Sequence, residues 1–164
     1  MKNIRIIRIF LAVAILCLLV AAVPQRNLST PERTIKSLEA AVNHLDKDAA
    51  LRCFDPSISA QIDSLLNDIG KVGGLSLGNM MEYSKTFLPL LPLLSNGKLS
   101  LDALPHMSFD VLDVKQDQSK HLTDVSVKVI FHLKEYDFPF SMQVGMCQAK
   151  GNWIIQSIHG VELL

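Results

Sequence analysis

Residues 121–163, HLTDVSVKVIFHLKEYDFPFSMQVGMCQAKGNWIIQSIHGVEL, alternate apolar and polar side chains over most of their length. Val125, Val127, Val129, Phe131 and Leu133 recur at every second position, with Asp124, Ser126, Lys128 and His132 between them. Phe138, Phe140, Met142, Val144 and Met146 repeat the pattern against Pro139, Ser141, Gln143 and Gly145. A period of two marks strands with one apolar face, and two such runs in succession need a cover for that face. The stretch divides into three strands at Lys134 to Asp137 and Ala149 to Asn152, and a further strand from about Met107 to Lys115 precedes it, joined through Gln116 to Lys120. Connections this short imply antiparallel neighbours. Pro139 removes one ladder donor, so it belongs at an edge, at a bulge or facing away from a neighbour.

The N-terminal half supplies the cover as helices. Ser29-Thr30-Pro31-Glu32 starts one, with Thr30 as N-cap before Pro31, or Ser29 and Glu32 as a capping box. Ile35, Leu38, Val42 and Leu45 make a single apolar stripe on it. Asp46 or Asp48 caps a short turn through Ala49, Ala50, Leu51 and Phe54. Asp55-Pro56 starts another helix, whose stripe is Ile58, Ile62, Leu65, Leu66 and Ile69 and whose stop is Gly70. After Gly73-Gly74, Leu77, Met80, Met81, Tyr83 and Phe87 predict a further helix. Phe87-Leu88-Pro89-Leu90-Leu91-Pro92-Leu93-Leu94 then combines helix-breaking prolines with leucines that need a dry place. Either its leucines plug the open end of the sheet, or Phe87, Leu90, Leu91, Leu93 and Leu94 form an exposed patch for a partner or a membrane surface. The expected class is α+β, with helices on a curved four-stranded antiparallel meander.

At 164 residues and 49% hydrophobic content the chain has room for one domain and one extra apolar segment. That segment is the start: Lys2, Arg5 and Arg8 precede any acidic residue, and the run Ile9 to Val23 follows. A basic leader before about fifteen apolar residues matches an export signal, and it is short for a membrane span, which wants roughly twenty. Residues 1–23 are therefore read as a signal peptide or an uncleaved anchor, 24–29 as a linker, and 30–164 as the domain. The expected location is outside the cytoplasm, secreted or tethered. All 16 acidic residues follow the leader, so the body is mildly acidic and carries no lysine/arginine stripe for a phosphate backbone. Nucleic acid is not an expected partner. Cys53 and Cys147 are the disulfide candidates in an exported domain, against two thiols that never meet.

Helices first and then a curved antiparallel meander is the order of the nuclear transport factor 2-like superfamily, a cone-shaped α+β fold. Thr30-Pro31-Glu32 leading into Ile35 to Leu45, and then Asn43 through Asp55-Pro56, resembles that superfamily's opening helix pair, in which an aspartate caps a short second helix ending in a Phe-Asp-like step. Lys150-Gly151-Asn152-Trp153-Ile154-Ile155 is similar to the turn and tryptophan-bearing last strand of many members. The resemblance runs from about Thr30 to Leu163, with a longer helical insertion at about 57–104. It implies a cavity between sheet and helices, sheet-paired homodimers in many members, and a range from isomerases to exported non-catalytic domains. Fold does not choose among these.

Isomerase-like members need a general-base carboxylate and an oxyanion donor in an apolar cavity. Asp113 continues the parity of Met107, Phe109 and Val111, and His159 that of Trp153, Ile155 and Val161, so strictly regular strands would turn both inward. Tyr83 is the candidate donor. The readings preferred for the three are a solvated rim aspartate, a satisfied core or rim histidine, and a core tyrosine with its hydroxyl at the surface. No His-x-x-x-His or Cys-x-x-Cys spacing marks a metal site, Gly70-Lys71-Val72-Gly73-Gly74 lacks the Walker spacing, and no serine sits in a nucleophile elbow. No cofactor is expected. The first reading is an exported non-catalytic domain that binds a protein, an envelope component or a small apolar molecule, with Trp153 and the leucine-rich lip shaping the surface. The alternative is a small isomerase- or hydrolase-like enzyme working in the cone cavity.

Overall fold

Thr30 caps the first helix, α1 (Pro31–Asn43): its backbone is extended and its hydroxyl accepts the Arg33 N–H at 3.2 Å. Pro31 at the first position has no N–H to leave unpaired. The helix ends two residues sooner than its apolar stripe suggests. The Asp46 N–H reaches back to the Ala41 carbonyl and the Leu45 N–H to that of Val42, which closes the end while Leu45 sits left-handed at φ 53°. That position usually belongs to glycine. Asp46 then caps α2 (Lys47–Leu51) by accepting the Ala49 N–H at 3.0 Å. Next come α3 (Pro56–Asp68), α4 (Leu77–Phe87), a 3-10 turn over Leu88–Leu90 and α5 (Leu91–Leu94). The computed structural model describes residues 27–68, 76–95, 104–117, 122–133 and 136–164. The leader, the expected stop at Gly70 and the Gly73-Gly74 break lie outside them.

The strands β1 (His106–Asp117), β2 (Leu122–Leu133), β3 (Tyr136–Ala149) and β4 (Asn152–Leu163) form one antiparallel sheet in the order β1-β2-β3-β4. The element order is thus the α+β order that the superfamily resemblance implies. Ile35 and Leu38 of α1 and Cys53 after α2 meet Phe109, Val125, Val127, Val129, Met142, Val144, Met146 and Ile155 in one core. Pro139 sits inside the paired part of β3, where its carbonyl accepts the Leu164 N–H at 3.1 Å. Its backbone therefore faces the place where β4 ends and away from β2, so the missing donor takes no bond from the β2–β3 ladder.

Both edges of the sheet are covered over part of their length, which limits pairing with other chains. On β1, the Asn43 amide acts as a stand-in peptide: Nδ2 donates to the Met107 carbonyl and Oδ1 accepts the Met107 N–H, both at 2.7 Å. Glu39 accepts the Phe109 N–H at 3.0 Å and Lys36 donates to the Phe109 carbonyl at 2.6 Å. On β4, Trp153 N–H donates to the Leu28 carbonyl at 2.7 Å, Ile155 N–H to Cys53 at 2.8 Å, and Asp55 N–H to Ile155 at 2.7 Å. The sequence 52–55 thereby becomes a short parallel addition to the sheet.

The helices after α2 are held differently. Lys47 pairs with Asp63 at 2.7 Å and Lys85 with Asp46 at 3.2 Å, tying α3 and α4 to α2. The Asp63 carboxylate raises the pKa of the Lys47 ammonium above its ordinary value. Gly78 lets α4 approach α3, since a Cβ there would meet Asn67 Oδ1 at 2.9 Å. No residue of α3 is buried, and Leu65 of its expected stripe is exposed.

Candidate functional site

Asp113 and His159 do not point into the core, and the reason is the same for both. β1 carries an extra residue at Leu112, so Val111 faces Val127 but Asp113 faces Ser126, and Val114 takes the inward place opposite Val125. β4 carries one at Gln156, so Ile155 faces Met146 and Ile158 faces Val144, while His159 lies opposite Gln143 on the outer face. A bulge resets the alternation of every residue beyond it. Asp113 is exposed and pairs with Lys115 at 3.1 Å. His159 is exposed, and Tyr83 is 57% exposed on α4. The three enzyme candidates therefore share no site.

Cys53 and Cys147 form no disulfide. Met146 faces inward, which puts Cys147 opposite Ile154 on the outer face, while Cys53 is buried under Ile155. Burial, with the Asp55 charge nearby, pushes the Cys147 thiol above its ordinary pKa, so it is not an activated nucleophile. Trp153 packs against the core, and its carbonyl accepts the buried Thr34 hydroxyl at 2.9 Å. In the leucine-rich lip, Phe87, Leu90 and Leu94 are exposed. The side chains of Leu91 and Leu93 lie outside what the structure describes. Among the described residues there is no cluster of histidine, cysteine and acidic side chains fit for a metal, and no helix long and apolar enough to cross a membrane.

One concavity among the described residues lies beside the covered edge of β4. It is a groove of about 460 Å³ lined by Leu28, Leu51, Phe54, Pro56, Ala149 and Ile154, with Arg52, Ser59, Lys150 and Asn152 among them. The backbone bonds from Trp153 to Leu28 and from Ile155 to Cys53 set the two walls. Arg52 and Lys150 are both exposed, so two cationic ends stand on an otherwise mostly apolar surface. Lys150 and Gly151 make the two-residue turn from β3 to β4 with φ 52° and 82°. Two left-handed residues suit the twist of a hairpin, but the first place normally falls to asparagine, aspartate or glycine. A lysine there costs about 1–2 kcal/mol of backbone strain. That strained residue is a rim cation of the groove. Sequence reading did not find this site, because its walls come from segments far apart in the chain; the one local signal was lysine in a Lys-Gly hairpin turn.

No protein-family model matches the chain, and no curated protein matches it. The chain is similar to a SEC-C motif containing protein from Rhodopseudomonas palustris, at 14% identity and TM-score 0.51, over 84% of this chain and 83% of that one. The likeness is one of fold. Two other solved structures align less closely. They are an NTF-2-like protein of unknown function from Shewanella oneidensis MR-1 (15% identity, TM-score 0.45, 78% of this chain and 93% of that one) and an NTF2 design (13%, 0.44, 77% and 92%). At such identities no residue's role passes from one chain to another.

Proposed function

We propose that this chain is an exported binding domain of the cell envelope, carried out of the cytoplasm on residues 1–23, whose groove is a non-catalytic site for a small apolar molecule with an anionic end. The observation that supports this is the pairing of the apolar lining of Leu28, Leu51, Phe54 and Ile154 with the exposed cations Arg52 and Lys150. Apolar walls supply most of the affinity of such a site, and a few charged groups fix orientation. The cone-cavity enzyme has less behind it, since Asp113 and His159 lie on the outer face. Calorimetric titration with decanoate, decanol and a decyl ammonium salt tests the reading. Decanoate binds most tightly, and reversing both rim charges (Arg52→Glu with Lys150→Glu) weakens it by about tenfold or more, a loss of at least about 1.4 kcal/mol. Equal affinity for the three ligands, or no effect of the charge reversal, would rule the reading out.

A second reading has its own observation. At the end of the sheet near the β2–β3 turn the inner face is uncovered: Leu133, Tyr136, Phe138 and Leu163 are exposed. Contiguous apolar surface of this kind marks a protein contact. Self-association of the purified protein that Phe138→Ser abolishes would favour it over the groove.

A further inference from the structure

The outer face of the sheet brings three polar side chains from three strands into line. His106 of β1 faces His132 of β2, and Ser108 faces Ile130, so Ser108 is the diagonal neighbour of His132. Asp137 of β3 stands directly opposite His132. Direct and diagonal neighbours on one face are within side-chain reach. The contacts are made: Ser108 Oγ lies 2.9 Å from His132 Nε2, and His132 Nδ1 lies 2.8 Å from Asp137 Oδ1.

The chemistry of the groups fixes the protons. An ionised carboxylate only accepts, so Nδ1 of the imidazole carries the hydrogen toward Asp137. In the neutral ring Nε2 then holds the lone pair and accepts the Ser108 hydroxyl. The order is hydroxyl, base and orienting carboxylate, with each atom in the role it plays in nucleophilic acyl transfer. The His106 ring lies nearly parallel to that of His132, with centroids 4.6 Å apart and an interplanar angle of 22°, which further fixes the imidazole plane. The His132 side chain is 26% exposed and that of Asp137 63% exposed, so a reagent reaches them. None of the three belongs to the buried core.

We propose that Ser108, His132 and Asp137 form a nucleophilic site that accepts the acyl group of a small activated ester. Ser108 Oγ adds to the ester carbonyl carbon while its proton passes to His132 Nε2. The bond from that carbon to the alcohol oxygen breaks, and the departing alcohol takes the proton from Nε2. Water then attacks the acyl-serine, giving its proton to Nε2; the carboxylic acid leaves and the proton returns to Ser108. Asp137 is a positioning residue that holds the ring and its tautomer. The site lies on an open face, so the gain expected is that of general-base assistance, about 10²–10⁴-fold, and the acyl donor is one with a good leaving group. It is separate from the groove, which lies at the other end of β3, by Ala149 and Lys150. Neither proposal depends on the other.

The test is to treat the full chain with a fluorophosphonate probe and with 4-nitrophenyl acetate, and to locate the adduct by intact mass and peptide mapping. The expected result is one adduct, on Ser108, absent in Ser108→Ala. It forms about a hundredfold more slowly in His132→Gln and in Asp137→Asn, with rate restored in Asp137→Glu. Asp137 is exposed at the start of a strand, so its variants keep the test alive if His132→Gln fails to fold. Adducts scattered over several serines or lysines, or a Ser108 rate unmoved by Asp137→Asn, would overturn the proposal.

Discussion

Asn43 performs work that a backbone normally does. Its amide replaces a peptide group at the β1 edge, with both contacts to Met107 at 2.7 Å. Asn43→Ala leaves a half-buried N–H and C=O without those partners, and costs about 1–3 kcal/mol in a denaturant titration. Asn43→Asp, which keeps the acceptor and loses the donor, is expected to be less damaging at the N–H and worse at the carbonyl. Ile155 is fully buried where β4 meets the segment before α3, so Ile155→Ala costs about 2–5 kcal/mol by the same measurement. Asp55 predicts a pH effect. Its carboxylate accepts the Ser57 hydroxyl at 2.6 Å and the Ser57 N–H at 2.9 Å, which holds its pKa below the ordinary value. A carboxyl depressed in the folded state adds stability above its unfolded pKa and loses it as pH falls through the folded one, so this contribution fades below about pH 4. Ser57→Ala removes the larger of its two partners. A melting series from about pH 5 to about pH 2 then shows a shallower acid loss than the wild type; parallel curves would contradict the assignment.

At the scale of elements, strand identity was legible because alternation survives in a bare list of residues. Val125 to Leu133 and Phe138 to Met146 read correctly as paired strands, and β2 and β3 pair without a register shift. The bulges were not legible. Nothing in the sequence around Leu112 or Gln156 distinguishes an extra residue from one more alternating position, so strict alternation would put Asp113 and His159 on the inner face, and the rim readings are the ones that match their exposed, outward places. The same holds for α1, where Leu45 continued the helical stripe on paper but sits beyond the helix end in a left-handed turn. The outer-face line of Ser108, His132 and Asp137 was invisible for another reason: it depends on the register of three strands, which no local motif encodes. The facing of β1 is testable. Asp113→Cys reacts with an aqueous thiol reagent far faster than Val111→Cys, the order expected with the bulge. In the same assay Cys53 reacts only on unfolding, and alkylation of the unfolded, unreduced chain modifies both Cys53 and Cys147. A mass that showed them joined would contradict the opposite-face placement.

For the whole molecule, the arrangement divides the labour between the two ends of the sheet. Helix α1 and the segment at 52–55 cover part of each edge and bury the centre, and the second of these contacts borders the groove. Tightness of the core and shape of the groove therefore rest on the same backbone bonds. Around the β2–β3 turn the sheet is left open, with apolar groups on its inner face and the serine–histidine–aspartate line on its outer face. Native mass spectrometry of the protein purified folded from its own host reads the occupancy of the groove. The predicted result is an added mass of small-molecule size that the Arg52→Glu, Lys150→Glu variant lacks. A bare chain, a chain joined only to another protein, or an adduct that the variant keeps would contradict it.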